Sequence, residues 1–272
     1  MNKAYKFRIY PNEKQRVLLA KTFGCVRFIY NKMLADKIER YKHTGKKLSN
    51  APAMHKSEFE WLKEVDSLAS ANAWLNLRTA YGDFFENPKT GFPKFKSKHR
   101  NKKSYTTNNQ KGSIASIDGY IKLPKVGLVK VKQYRQNPSD YILKSATVSQ
   151  TPSGKCYVSV LFEYENQIRQ IEPRTFLGLD FSMRELYKDS NGNEPAYPRY
   201  YRQTEQKLAR EQRKLSKMQK GSNNRNKQRI KVAKSHEKVA NQRKDFLRKQ
   251  SRQIANAYDC VCIENLDMKA MS

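Results

Sequence analysis

The sequence contains no C-x-x-C pair, no glycine-rich phosphate loop and no long apolar run. Each absence removes a class of protein. Cys25, Cys156, Cys260 and Cys262 stand singly or alternate along the chain, which fits neither a zinc site nor a disulfide framework. They read as small apolar residues of a reduced protein. Without a phosphate loop, nucleotide hydrolysis is not expected. The longest apolar stretches, such as CYVSVLF at 156–162, are far below the roughly 18 residues of a membrane span, so no membrane partner is expected. The N-terminus, MNKAYKFRIYPNE, has charges where a signal peptide has its apolar segment. The expected location is cytoplasmic, associated with the nucleoid.

Acid is also scarce. Twenty-five Asp and Glu face 55 Lys and Arg, a formal net charge of +30. A field of that sign concentrates polyanions, so nucleic acid is the first partner to consider. Hydrophobic residues make up 38% of the 272 residues, enough for real cores in about two domains.

YKFRIY (5–10) alternates as a half-buried strand does. Asn12 and Gln15 then form a capping-box pair that opens a helix ending at Gly24. A second helix carries Val26, Ile29, Tyr30, Met33, Leu34 and Ile38, and a third, after Asp66, puts Ala73, Leu77, Ala80 and Phe84 on one face. Trp61 and Trp74 are expected in the core of this helical region. From 87 to 113 the chain reads as a basic loop. Short alternating segments follow (SIASID, YIKLP, LVKVKQY, ILKSATVSQ, CYVSVLFEYE) with turns at Asp118-Gly119, Gly127 and Ser153-Gly154. They predict a small antiparallel sheet or barrel that the first strand completes, with the helices inserted between. After a linker at 166–174 come the strand FLGLDF, a turn at KDSNGN, a long basic helical stretch from about 202 to 258, and the strand CVCIE. Ala233, Ala240, Leu247 and Ile254 recur every seven residues, with Val232, Val239 and Phe246 beside them. That predicts one packed helical face, or an antiparallel pair turning at Gly221.

Asp180 and Glu264 each end an apolar strand. Ligands of α/β sheets gather at the carboxyl ends of strands, and two carboxylates there suit a hard cation such as Mg²⁺. On spacing alone, two strand-end acids pairing with nearby Lys or Arg is the more economical reading.

Several blocks occur in one order: FRIYPNEKQ, CVRFIYNKML, GFPKFKSK, KLPKVGLVKVK, FLGLDFS, KSHEKVANQRKDFLRKQSRQIA and CIENLDMKAM. Together they resemble the TnpB (OrfB) family of transposon-encoded proteins over nearly the whole chain. The resemblance implies an α+β, multidomain fold: a wedge-like antiparallel β-barrel (1–10 and 87–170), an inserted helical recognition lobe (11–86), and a partial RuvC-type, RNase H-like α/β domain (171–272). It implies an RNA-guided DNA endonuclease whose partners are a transposon-derived guide RNA and target DNA, with Mg²⁺ as cofactor. Asp180 in GLDFS matches the first RuvC carboxylate and Glu264 in CIENLDM the second. The family's third aspartate and its zinc ribbon have no counterpart among these residues. The expectation is therefore a C-terminally truncated member that binds but does not cut alone, completed by a separately encoded C-terminal chain or working with a partner transposase. Asp267 and Asp189 are weak substitutes for the third acid. Two other readings stay open: a nuclease-inactive, RNA-guided DNA-binding repressor, and a general basic RNA-binding protein.

Nucleic-acid contacts are expected in two places. One is the loop with Lys94, Phe95, Lys96, Lys98, His99, Arg100, Lys102, Lys103 and Tyr105, where cations meet phosphates and aromatics stack on unpaired bases. The other is the helical stretch with Lys217, Lys220, Arg225, Lys227, Arg229 and Lys231. His43, His55, His99 and His236 show no metal-binding spacing.

Overall fold

The computed structural model describes residues 1–99, 101–135, 140–165, 172–182 and 184–266. The chain divides into two units, Met1–Asn166 and Gln167–Ser272.

In the first unit, strand β1 (Asn2–Tyr10) leads into helix α1 (Glu13–Thr44). The capping box is formed: the Gln15 amide donates to Asn12 Oδ1 at 2.9 Å and the Asn12 amide to Gln15 Oε1 at 3.0 Å. The same Gln15 side chain donates through Nε2 to the Leu128 carbonyl at 2.7 Å, fastening the helix start to strand β5. The helix does not end at Gly24. A buried stripe of Leu19, Phe23, Val26, Tyr30 and Leu34 runs straight through that position. Burial of that stripe outweighs the roughly 1 kcal/mol that a glycine costs a helix interior. The stop is Gly45, which takes the left-handed conformation (φ +64°) that glycine adopts without a Cβ penalty.

Helix α2 (Ser67–Glu86) is capped by Asp66, which accepts from the Leu68 amide, and buries Ala69, Ala73 and Leu77. Between the helices, Trp61 is not in the core. It is 41% exposed and forms a three-ring cluster with Phe28 and Phe59.

Strands β2 (Lys103–Asn108), β3 (Ala115–Ile117), β4 (Tyr120–Leu123), β5 (Gly127–Lys132), β6 (Ile142–Gln150) and β7 (Cys156–Glu163) join β1 in a seven-stranded sheet ordered β2-β6-β7-β1-β5-β4-β3. All its ladders are antiparallel. Among the described residues no ladder joins β2 to β3, so the sheet is open, half a barrel rather than a closed one. Strand β2 corrects the reading of 87–113 as loop throughout. In KSYTTN, Tyr105 and Thr107 alternate inward, a short signal masked by the flanking lysines.

The second unit contains strands β8 (Phe176–Phe181), β9 (Tyr187–Asp189) and β10 (Cys260–Ile263) in the order β10-β8-β9. Strands β8 and β9 form an antiparallel hairpin, and β10 pairs parallel to β8. Helices α3 (Tyr200–Lys217) and α4 (Asn223–Ala257) connect them as a pair that turns at Gly221 (φ +88°). The packed stripe of α4 is Val232 and Val239, continued by Phe246 against Tyr197 and Tyr200, while Ala240 and Leu247 face outward. Both stripes repeat every seven residues, and the larger β-branched and aromatic one takes the interface.

Candidate functional site

The two strand-end carboxylates line one cavity. In the parallel ladder Cys262 lies opposite Gly178 and Ile263 opposite Leu179, which brings Glu264 beside Asp180. In the hairpin, Asp180 lies opposite Lys188. Side chains alternate faces along a strand, so Cys262, Glu264, Gly178, Asp180, Lys188 and Ser190 share one face. All six line a single open cavity of about 490 Å³. Its outer row reads Glu264, Asp180, Lys188; its inner row reads Cys262, Gly178, Ser190. Both acids are exposed.

Two clamps hold this face. Asp259, just before β10, accepts from the Arg174 amide (3.0 Å), the Thr175 amide (3.0 Å) and the Thr175 hydroxyl (2.9 Å). These donors, the Arg174 amide foremost, hold its carboxyl below the usual range. At the hairpin, Ser190 Oγ accepts from the Gly178 amide at 3.2 Å and the Ser190 amide donates to the Gly178 carbonyl at 3.0 Å.

Asp189 lines the same cavity, with its carboxylate engaged in the hairpin turn. Its carboxylate accepts from the Asn191 amide (3.0 Å), the Asn193 amide (2.8 Å) and the Asn193 side chain (2.9 Å), so it is consumed by the turn, and these donors hold its carboxyl low. Asp267 lies outside the described residues. Among the described residues neither Asp180 nor Glu264 is engaged by a hydrogen bond or ion pair, and no group of three His, Cys, Asp or Glu gathers to hold a metal. An adjacent pair of exposed carboxylates fits one hard cation that takes its other ligands from water and phosphate.

Lys188 was not singled out in the sequence. Its Nζ pairs with Glu194 Oε1 at 3.0 Å; that hydrogen bond and charge, with a smaller contribution from Asp180, raise its pKa. The available signal was a charged residue at a hairpin position facing a strand-end acid.

The basic loop lies in the first unit, along a second cavity of about 450 Å³ between α1, α2 and β2. Lys98, Lys102 and Lys103 line it and are exposed. Lys94, His99 and Phe95 are also exposed, Phe95 by 55%. Arg100 lies outside the described residues. Two further residues of the loop line the same cavity but are held by other contacts. Lys96 is clamped to Asn31 by two hydrogen bonds (2.7 and 2.9 Å), its Nζ stands 3.8 Å from the Tyr30 ring centroid, and burial lowers its pKa. Tyr105 is 4% exposed with its ring against Phe23, so it belongs to the core and offers no stacking surface. Asn72 and Asn76 of α2 line the cavity as well. Two amides one turn apart on the same helix are the only signal the sequence offers for them.

In the helix pair, Lys217, Lys220, Lys227 and Arg229 are exposed. Arg225 is not a free cation: Nη1 donates to the Leu215 and Met218 carbonyls at 2.7 and 2.8 Å, closing the end of α3. Lys231 pairs with Glu211 at 3.0 Å. Glu211 also accepts from Gln228 Nε2 at 2.5 Å, and these partners hold its carboxyl low.

Fold and cavities define a class: a strongly basic α+β protein in two units, with an acidic pair on the open face of a mixed sheet. Residues 159–272 match a family described as probable transposase, and residues 1–46 one described as a helix-turn-helix domain. In the latter range the chain forms one strand and one uninterrupted helix. Over 280 residues the chain is 30% identical to a putative RNA-guided DNA endonuclease of Streptomyces pristinaespiralis, covering 99% of this chain and 68% of the relative. Over 276 residues it is 29% identical to the putative RNA-guided DNA endonuclease InsQ of Escherichia coli K12, covering 99% and 67%. A CRISPR-Cas12f ternary complex is similar at 13% identity and a TM-score of 0.42, over 94% of this chain and 64% of that one. The chain thus spans about two thirds of the length of the proteins it matches. It belongs to the TnpB (OrfB) family of transposase-associated proteins. No helix among the described residues is long and apolar enough to cross a membrane.

Proposed function

We propose that residues 1–272 are the nucleic-acid-binding part of an RNA-guided, Mg²⁺-dependent DNA endonuclease, together with two carboxylates of its RuvC-like site. One observation carries this: Glu264 and Asp180 stand side by side at the carboxyl ends of two parallel strands, on the face of one open cavity. The chain that holds them has a net charge of +30 and aligns over 99% of its length with relatives named RNA-guided DNA endonucleases. In domain terms, 1–10 and 87–170 form the wedge, 11–86 the recognition lobe, and 171–272 the partial RuvC-like domain. Guide RNA and target DNA are the partners, contacted through the exposed cations of the basic loop and of the α3–α4 pair.

Asp180 and Glu264 would hold the cation, which when bound polarises a phosphodiester and lowers the pKa of its water. These two residues bind and orient it. Asp189 lines the same cavity but its carboxylate serves the turn, so among the described residues a two-metal arrangement is short of a ligand, and on this reading the chain binds without cutting.

The test is to purify residues 1–272 from cells that carry the surrounding transposon DNA, sequence the RNA retained through a high-salt wash, and offer the complex a matched duplex with Mg²⁺. One discrete RNA and no cleavage is the expected result. A smear of cellular RNA released by salt would overturn guide binding, and metal-dependent cutting would overturn the deficiency.

A further inference from the structure

The cavity over β8, β9 and β10 is lined by three acids, Asp180, Asp189 and Glu264, and by Lys188; with Asp189 taken up by its turn, two acids and one base follow in a fixed order. Glu264, Asp180 and Lys188 follow one another across neighbouring strands. Directly opposed residues have Cβ atoms about 5 Å apart, so Lys188 flanks Asp180 on the side away from Glu264. Asp180 thus has Glu264 on one side and Lys188 on the other, and the two acids are the residues that would hold a cation. Among the described residues lining this cavity, Lys188 alone is basic.

Its present partner is easily exchanged. The Lys188–Glu194 pair, at 3.0 Å, leaves the two side chains 60% and 46% exposed, and exposed pairs of this kind are weakly held. A phosphate oxygen offers the ammonium a charge-assisted bond of the same kind. Asp180 stands opposite Lys188 in the hairpin register. At the centre of the face, Gly178 has no side chain to project into the path of a strand.

We propose that Lys188 is a phosphate-positioning residue: its ammonium leaves Glu194 to grip a backbone phosphate of the nucleic-acid strand that crosses the Glu264–Asp180 pair, setting which phosphate lies over the acids. The inference rests on the nucleic-acid reading of this cavity and names the residue that aligns the strand there. No bond is made or broken; one ion pair exchanges for another.

The experiment is lysine acylation of the purified 272-residue chain, read residue by residue by mass spectrometry, with and without a single-stranded DNA oligonucleotide in Mg²⁺. The Lys188 rate is expected to fall about fivefold or more on binding, the footprint of a charge-assisted contact, and to recover in high salt. Glu194→Gln, which removes only the tether, should speed acylation in the free chain and leave the protection intact. Lys188→Ala should lower the slope of log affinity against log salt by about 0.7, the value of one single-strand phosphate contact, and Lys188→Arg should restore it. Protection of Lys98 and Lys102 without protection of Lys188 overturns this inference and leaves the proposed function standing. Protection of no lysine at all overturns both.

Discussion

Asp259 and Thr175 lock the two parallel strands of the acidic cavity to each other. The Asp259 carboxylate accepts from the Thr175 amide and hydroxyl, and the Asp259 amide donates back to the Thr175 hydroxyl at 2.9 Å and to its carbonyl at 3.1 Å. This reciprocal pair sets the register in which Ile263 faces Leu179, and so brings Glu264 beside Asp180. A one-residue slip would send Glu264 to the opposite face.

The clamp is pH-dependent, and the sign follows from the depressed Asp259 carboxyl. A group whose folded value lies below its unfolded value, about 3.9 for Asp, stabilises the fold above that range and stops doing so as pH falls through the folded value. Amide exchange at Cys260 and Val261 should therefore quicken as pH is lowered below about 4, beyond the ordinary pH dependence of exchange. Asp259→Asn should show the faster exchange already at neutral pH. Equal protection of both chains at neutral pH would mean that the strands are held by their ladder alone.

Lys96 and Lys98 are two residues apart and should behave as different kinds of residue. Lys98 is exposed along the first cavity, so Lys98→Ala should lower the salt slope of single-stranded nucleic-acid binding by about 0.7 with little change in melting temperature. Lys96 stands over Tyr30 with its backbone bound to Asn31. Lys96→Ala should instead cost about 1 kcal/mol of stability, in the range of a partly desolvated cation–π contact, and leave the slope unchanged. Thermal unfolding and a salt titration on both variants separate the two roles. The reverse pattern would place Lys96 at the phosphates.

Arg225 tests whether a cation of the α3–α4 pair is structural. Its two bonds to the Leu215 and Met218 carbonyls close the end of α3. Losing charge-assisted bonds to partly buried carbonyls costs about 1–3 kcal/mol, so Arg225→Ala should lower the unfolding midpoint of the second unit. Lys in its place recovers only part, because an ammonium lacks the planar fork. A variant that melts like the wild type but binds nucleic acid more weakly would return Arg225 to the interface.

The unequal legibility of the chain has a physical cause. Strands β8 and β10 were readable because FLGLD and CVCIE are short apolar runs bounded by polar turns, and the acids at their tips came with them. The pairing of those strands depends on Asp259, Thr175 and two long helices, information that no single stretch contains. The continuity of α1 through Gly24 was hidden because a glycine is a local signal and the buried stripe around it a tertiary one. Tyr105 was misjudged for the same reason: among lysines it looks like a stacking residue, but the alternation Tyr105, Thr107 belongs to a strand with one face inward. Lys188 and the Asn72–Asn76 pair carry no motif, and only the registers and the helix face show what they line.

Metal binding is the sharpest test of the acidic pair. One Mn²⁺, standing in for Mg²⁺, is expected per 272-residue chain, bound weakly by two carboxylates and water. Asp180→Asn and Glu264→Gln should each weaken it about tenfold or more, because removing one of two charged ligands leaves a single carboxylate. Asp189→Asn is the control, since its carboxylate already serves the Asn191 and Asn193 amides; it should loosen the hairpin turn and leave Mn²⁺ affinity within about twofold. Electron paramagnetic resonance of free Mn²⁺ reads all three directly, without any need for cleavage. If Asp189→Asn removes the ion and Asp180→Asn does not, the cation is held by the turn, and the strand-end pair is only two acids at the ends of two strands.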